Sequence, residues 1–193
     1  MSPVSFTDIL EFWFGTPQSP ERGRPRKTWF KKSPAFDAQV RGRFLAIWEL
    51  AARGGFARWE ATPLAALALV IVLDQFPRNM FRGDARSFAA DPLALAAAKG
   101  MVASGFDRLL RPVERLFAYL PFEHAEDPAA QRRSLELFEA LRVEPLGQDN
   151  TEYARRHFDI IVRFGRFPHR NAILGRESTP EELKFLQQPD SSF

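Results

Sequence analysis

Leu64-Ala65-Ala66-Leu67-Ala68-Leu69-Val70-Ile71-Val72-Leu73 is an unbroken apolar run that leads directly into Asp74-Gln75-Phe76-Pro77-Arg78-Asn79. A helix that is hydrophobic on every side is a buried helix, so this stretch reads as the centre of the protein. Thr62 before Pro63 reads as an N-cap followed by a favoured first helical residue, and Phe76 before Pro77 reads as a stop. On that reading Asp74 sits in the last turn, where the helix macrodipole disfavours a carboxylate. A cationic partner is therefore expected, such as Arg78, Arg82 or a more distant arginine.

The ending of this helix is echoed further along the chain. Gln-Phe-Pro-Arg-Asn-Met-Phe-Arg-Gly at 75–83 returns, with one residue inserted, as Arg-Phe-Pro-His-Arg-Asn-Ala-Ile-Leu-Gly-Arg at 166–176. Proline and glycine punctuate helix ends for local steric reasons, so two helices with the same stop chemistry would account for the echo. The sharper alternative is that the two ends face each other and build one arginine-lined pocket.

Outward from this centre the chain reads as helix after helix. Ser5 with Asp8 opens a helix through Trp13 and Phe14 that Gly15 closes, and Ser33-Pro34 opens one carrying Phe36, Val40, Phe44 and Trp48. Asp91-Pro92 restarts an alanine-rich segment that Gly105 ends, Arg111-Pro112 starts a helix stopped by Pro121, and Asp127-Pro128 caps a long amphipathic helix. Asn150 or Thr151 opens the helix that leads into the second motif, and Ser178-Thr179-Pro180 opens a last short one. No period-two strand pattern occurs, so the expected fold is all-α, about nine to ten helices in a single domain, 1–193.

Composition narrows the function classes. With 45% hydrophobic residues, 19 Phe and 4 Trp the chain can bury a core. The net charge of +3 is too small to imply nucleic acid by itself, and nucleic acid is not the expected partner. No cysteine is present, which excludes disulfides and thiolate metal sites and fits a reducing cytoplasm. The central run is too short to span a bilayer, and no signal peptide is read at the N-terminus, so a membrane is not expected. The loop over 16–32 carries Arg22, Arg24, Arg26, Lys27, Lys31 and Lys32 beside Trp29 and Phe30. A solvated loop explains that run, and RNA binding through 22–32 is the alternative it offers.

The chemistry-bearing residues fall in three segments. Arg78, Asn79 and Arg82 lie in the first motif, and Arg166, His169, Arg170, Asn171 and Arg176 lie in the second. Guanidinium forks beside amides suit bidentate recognition of a carboxylate or phosphate. Acids that pair every fork would make the cluster structural; one or two left over would bind an anion. The third segment, Pro121-Phe122-Glu123-His124-Ala125-Glu126-Asp127, places a histidine among carboxylates, a setting for a proton carrier. Equally, Glu126 and Asp127 can cap the next helix. Glu123, His124, Glu126, Asp127 and His169 have ligand chemistry, but no His-x-x-x-His or Glu-x-x-His spacing occurs, and no metal or cofactor is expected. His157 reads as a core histidine.

These residues also carry a resemblance. Ile9 through Phe14, Trp29-Phe30, Leu73 through Asn79, Phe81-Arg82-Gly83, Tyr119 through His124, Gln131 and Phe164 through Arg176 resemble the bacterial domain-of-unknown-function family nine-two-four over almost the whole chain. The resemblance implies a tetratricopeptide-like array of antiparallel helix pairs and no established activity. That family usually has His-Ser-Glu where this chain has His124-Ala125-Glu126, which argues against an essential hydroxyl there. The leading functional expectation is a helical binding protein whose Arg78, Asn79, Arg82, Arg166, His169, Arg170 and Asn171 receive an anionic small molecule or an acidic peptide end. The alternative is an enzyme that uses His124 or His169 as acid or base with Asp74 or Glu126 orienting it.

Overall fold

The computed structural model describes residues 4–142, 150–189 and 191–192. Its helical segments are α1 (Phe6–Phe14), α2 (Pro34–Ala51), α3 (Pro63–Val70), α4 (Phe76–Met80), α5 (Asp91–Ala103), α6 (Pro112–Glu123), α7 (Pro128–Leu141), α8 (Asn150–Phe164) and α9 (Pro180–Leu186), and the described residues contain no strand. A π turn, Ile71–Gln75, joins α3 to α4, so 63–80 is one rod and the described residues form eight helices. The expectation of nine to ten was slightly high; Ala57–Ala61 and Ala85–Ser87 close only 3-10 turns.

Local chemistry explains most helix starts. Ser5 and Thr179 form capping boxes with Asp8 and Glu182, Ser33 accepts from Phe36 N–H, and Asp127 accepts from Ala129 and Ala130 N–H. Thr62 occupies the expected N-cap position but its side chain makes no capping bond. Gly105 ends α5 in the left-handed region at φ 69, which its missing Cβ permits.

Two expected stops are not stops. The rod passes through Pro77 because the π turn precedes it: Phe76 N–H bonds to Ile71 O, five residues back, and Pro77 falls in the first turn of α4, where a missing donor is tolerated. Asp74 therefore lies inside the rod rather than in its last turn. Pro121 also sits within α6, which runs on to Glu123 and closes with His124 N–H on Leu120 O at 2.9 Å. Proline keeps a helical φ and removes one hydrogen bond, and the burial of Phe117, Tyr119, Leu120 and Phe122 holds the turn together regardless.

α3 is buried around nearly its whole circumference, with Ala65 through Leu73 all inside. α1 and α5 pack on α3, α2 packs on α4, and α6, α7 and α8 follow side by side. Phe76 is the hinge of the aromatic core, its ring 4.7 Å from Phe44, 5.7 Å from Trp13 and 6.4 Å from Phe12. Trp13 stacks in turn on Trp29 and meets Phe117 edge-on. The basic loop is drawn onto this core: Arg22 pairs with Glu114 at 2.7 Å, Arg26 donates to the carbonyls of Phe12 and Trp13, and the Trp29 indole donates to Trp13 O. No helix among the described residues is long and apolar enough to cross a membrane.

Phe76→Ala leaves a void where four aromatic rings meet. It is expected to lower the unfolding free energy by about 3–5 kcal/mol in a urea titration monitored by circular dichroism.

Candidate active site

The ends of the two echoed motifs meet at one carboxylate. Arg78, at the end of the central rod, donates two parallel bonds to Asp91, Nη1 to Oδ1 at 2.8 Å and Nη2 to Oδ2 at 2.9 Å. Arg170, in the 3-10 turn Pro168–Arg170, reaches the same Asp91 Oδ2 from Nη1 at 3.3 Å. Both guanidiniums lie over the Phe88 ring, and Arg170 also lies 4.4 Å from the Phe167 ring centroid, which holds it in a flat aromatic sandwich. Arg170 Nε has no hydrogen-bond partner among the described residues. Burial and the charge of Arg78 lower its pKa to about 10, the signature of a cation whose charge is incompletely balanced.

Beside the arginines stands an Asp–His pair. His124, just after α6, has Nδ1 2.7 Å from Asp74 Oδ1. Asp74 is completely buried, and Arg78, His124 and Gln75 together hold its carboxyl well below the usual carboxylate range despite that burial. An ionised Asp74 accepts the Nδ1 proton, so Nε2 of His124 is the nitrogen with the lone pair. Burial and Arg78 also lower the His124 pKa, against the pull of Asp74, and leave the ring neutral at pH 7. Gln131 fixes the turn that carries His124 by donating to Glu123 O at 2.6 Å and Ala125 O at 2.8 Å.

The remaining titratable groups here have inverted proton preferences. Glu123 is pushed up to about 8 by burial and by Asp74, and its carboxyl lies 3.5 Å from His157 Nδ1. His157 is pushed down to about 3 by burial and donates from Nδ1 to Tyr153 O. His169 is lowered to about 4 by burial and then by Arg170. Arg78, Arg170, Glu123 and the three histidines line one cavity of about 770 Å³.

Other candidates from the sequence are occupied elsewhere. Asn79 and Arg82 reach the cavity rim, but Asn79 donates to Asp37 at 2.8 Å and Arg82 grips the same carboxylate at 2.7 and 3.0 Å. Arg166 pairs bidentately with Glu182, Asn171 donates to Ser178 and Glu182, and Arg176 pairs bidentately with Glu126. These groups brace the second motif and lie off the cavity. Glu126 accepts Phe167 N–H at 2.8 Å as well as the Arg176 fork. Two contributors escaped the sequence reading: Asp91, whose place before Pro92 reads as a helix start, and Phe88, an ordinary loop aromatic. Among the described residues, no three His, Asp or Glu side chains are grouped as metal ligands.

The architecture is thus that of an all-helical protein with an Asp–His pair and two convergent arginines around one cavity. The chain belongs to the family described as bacterial protein of unknown function (DUF924), whose model matches residues 9–190. A solved structure, that of the protein of unknown function ATU0120 from Agrobacterium tumefaciens, is similar to it at 43% identity with a TM-score of 0.83, covering 94% of this chain and 96% of that one. No curated protein matches.

Glu123 gives a stability test. Its neutral form is favoured in the fold, so its contribution is fully present below the ordinary pKa of 4.5 and is lost as pH rises through about 8. Glu123→Gln is neutral throughout. The stability difference between the two proteins is expected to move in favour of the variant from pH 5 to 8, with a slope approaching ~1.4 kcal/mol per pH unit, in denaturant titrations at each pH.

Proposed function

We propose that this cavity is the active site of an enzyme that moves a proton on an anionic substrate. The observation that carries the reading is the 2.7 Å contact between His124 Nδ1 and Asp74, with His124 on the cavity wall beside Arg78 and Arg170. Arg170 and Arg78 hold the negative group. His124 Nε2 takes a proton from the substrate or from a water beside it, and Asp74 positions the ring and stabilises the imidazolium that forms.

Simple capture of an acidic ligand would use the same arginines. What favours turnover is Asp74: a receptor has no need of a fully buried, ionised carboxylate that holds an imidazole in one tautomer.

The test is consumption of anionic metabolites from a defined mixture, followed by mass spectrometry. Wild-type protein is expected to deplete a component. His124→Ala and Asp74→Asn are expected to slow that depletion by about 10²–10⁴-fold, with His124→Ala retaining affinity. Because the His124 pKa is lowered from 6.5, the base form persists at pH 7 and the rate is expected to fall only on acidification below pH 6.5. Depletion by His124→Ala at the wild-type rate, or none by wild type, overturns the reading.

A further inference from the structure

The cavity has two chemically different ends. Arg78, Arg170, His124 and Glu123 line only this cavity, whereas Trp29, Phe30 and Leu116 also line an adjoining groove of about 520 Å³, where Pro25 and Val113 join them along with Arg26, Lys27 and Lys31. Two large rings of the cavity lining stand open to solvent, Phe30 at 57% exposure and Tyr153 at 52%, the latter with the Arg156 guanidinium over one part of its ring. Phe30 is a fixed platform all the same, stacked parallel on Phe117 at 6.2 Å and meeting Trp29 edge-on. Exposed aromatic surface at the mouth of a cavity marks a place where a ligand supplies the missing contact.

The polar end calls for an anion: Arg78 and Arg170 share Asp91, Arg78 also reaches Asp74, and Lys32, Arg82 and Arg156 add further positive charge to the lining. Arg170 is the less engaged of the two, with one bond of 3.3 Å to Asp91 and Nε unpartnered among the described residues.

Resting on the active-site reading above, we infer that the substrate is an amphipathic carboxylic acid: its carboxylate sits at Arg170 and Arg78, and its aryl or acyl body runs out between Phe30 and Tyr153. The planar carboxylate suits the fixed plane of the sandwiched guanidinium. The apolar body covers the open rings and Leu116.

Four unreactive probes separate the parts of this inference by isothermal titration calorimetry at pH 7: 4-phenylbutyrate, butyrate, 4-phenylbutyramide and 3-phenylpropylphosphonate. The aryl acid is expected to bind about tenfold tighter than butyrate, with the amide and the phosphonate both weaker than the acid. Phe30→Ser and Tyr153→Ser are expected to shrink the advantage of the phenyl group while leaving butyrate unchanged. Arg170→Met is expected to abolish binding of both acids with an unaltered circular dichroism spectrum and unfolding midpoint. If that variant unfolds, competition by chloride against 4-phenylbutyrate on wild type is the measurement of the ionic contact. Equal binding of the amide, binding of the phosphonate as tight as the acid, an unchanged phenyl advantage in both rim variants, or no binding of any probe overturns the inference. None of the four probes is turned over, so these equilibria and the turnover experiment succeed or fail separately.

Discussion

A carboxylate buried at the centre of an apolar rod organises this protein. Isolated, Asp74 would be neutral or expelled, because removing a charge from water costs several kcal/mol. It remains ionised because three donors converge on it: Arg78 from the next turn at 3.2 Å, Gln75 at 2.7 Å and His124 from α6 at 2.7 Å. Each partner is placed by a different part of the fold. The π turn interrupts the regular ladder at Asp74 itself, and such turns persist where the surrounding structure determines them. From Asp74 the network passes through Arg78 to Asp91, and from Asp91 to Arg170 in the distant second motif.

The all-helical character, the buried central rod and most helix boundaries were legible from apolar periodicity and cap chemistry, which are local properties. Pro77 and Pro121 show where local signals mislead. Each reads as a stop, yet one follows a π turn that no composition announces and the other lies in a segment whose burial outweighs one lost hydrogen bond. The tetratricopeptide-like arrangement was an expectation of the family resemblance alone, and helices of 7 to 18 residues have no fixed period from which to read it.

For the site, the two arginine motifs and the segment around His124 stood out because guanidinium, imidazole and carboxyl groups are dense there. Which of them face a cavity was not legible. Arg166 and Arg170 are four residues apart in one motif, yet one is spent on Glu182 and the other is stacked between Phe88 and Phe167. The difference is made by where acids from other segments come to rest: Glu182 on α9 and Glu126 after α6 brace the motif, and Asp91 at the start of α5 only partly satisfies Arg170. Those braces matter to the site. The Arg176–Glu126 pair and the Phe167 N–H bond to Glu126 fix the turn that aims Arg170.

The same field explains why the protons are distributed as they are. In water a glutamic acid would give its proton to a histidine; here Glu123 keeps it up to about pH 8 while His157, 3.5 Å away, resists taking one until about pH 3. Burial is the main cause of this inversion, since it penalises the carboxylate and the imidazolium alike; Asp74 adds to it at Glu123, and Arg170 adds to it by repelling a second cation from the histidines. Only Asp74 escapes, because Arg78 and His124 hold its charge. His124 is subject to the same burial and to Arg78, so in the proposed chemistry the imidazole held by Asp74 is neutral at pH 7 and able to accept a proton, which is what a base working at neutral pH requires.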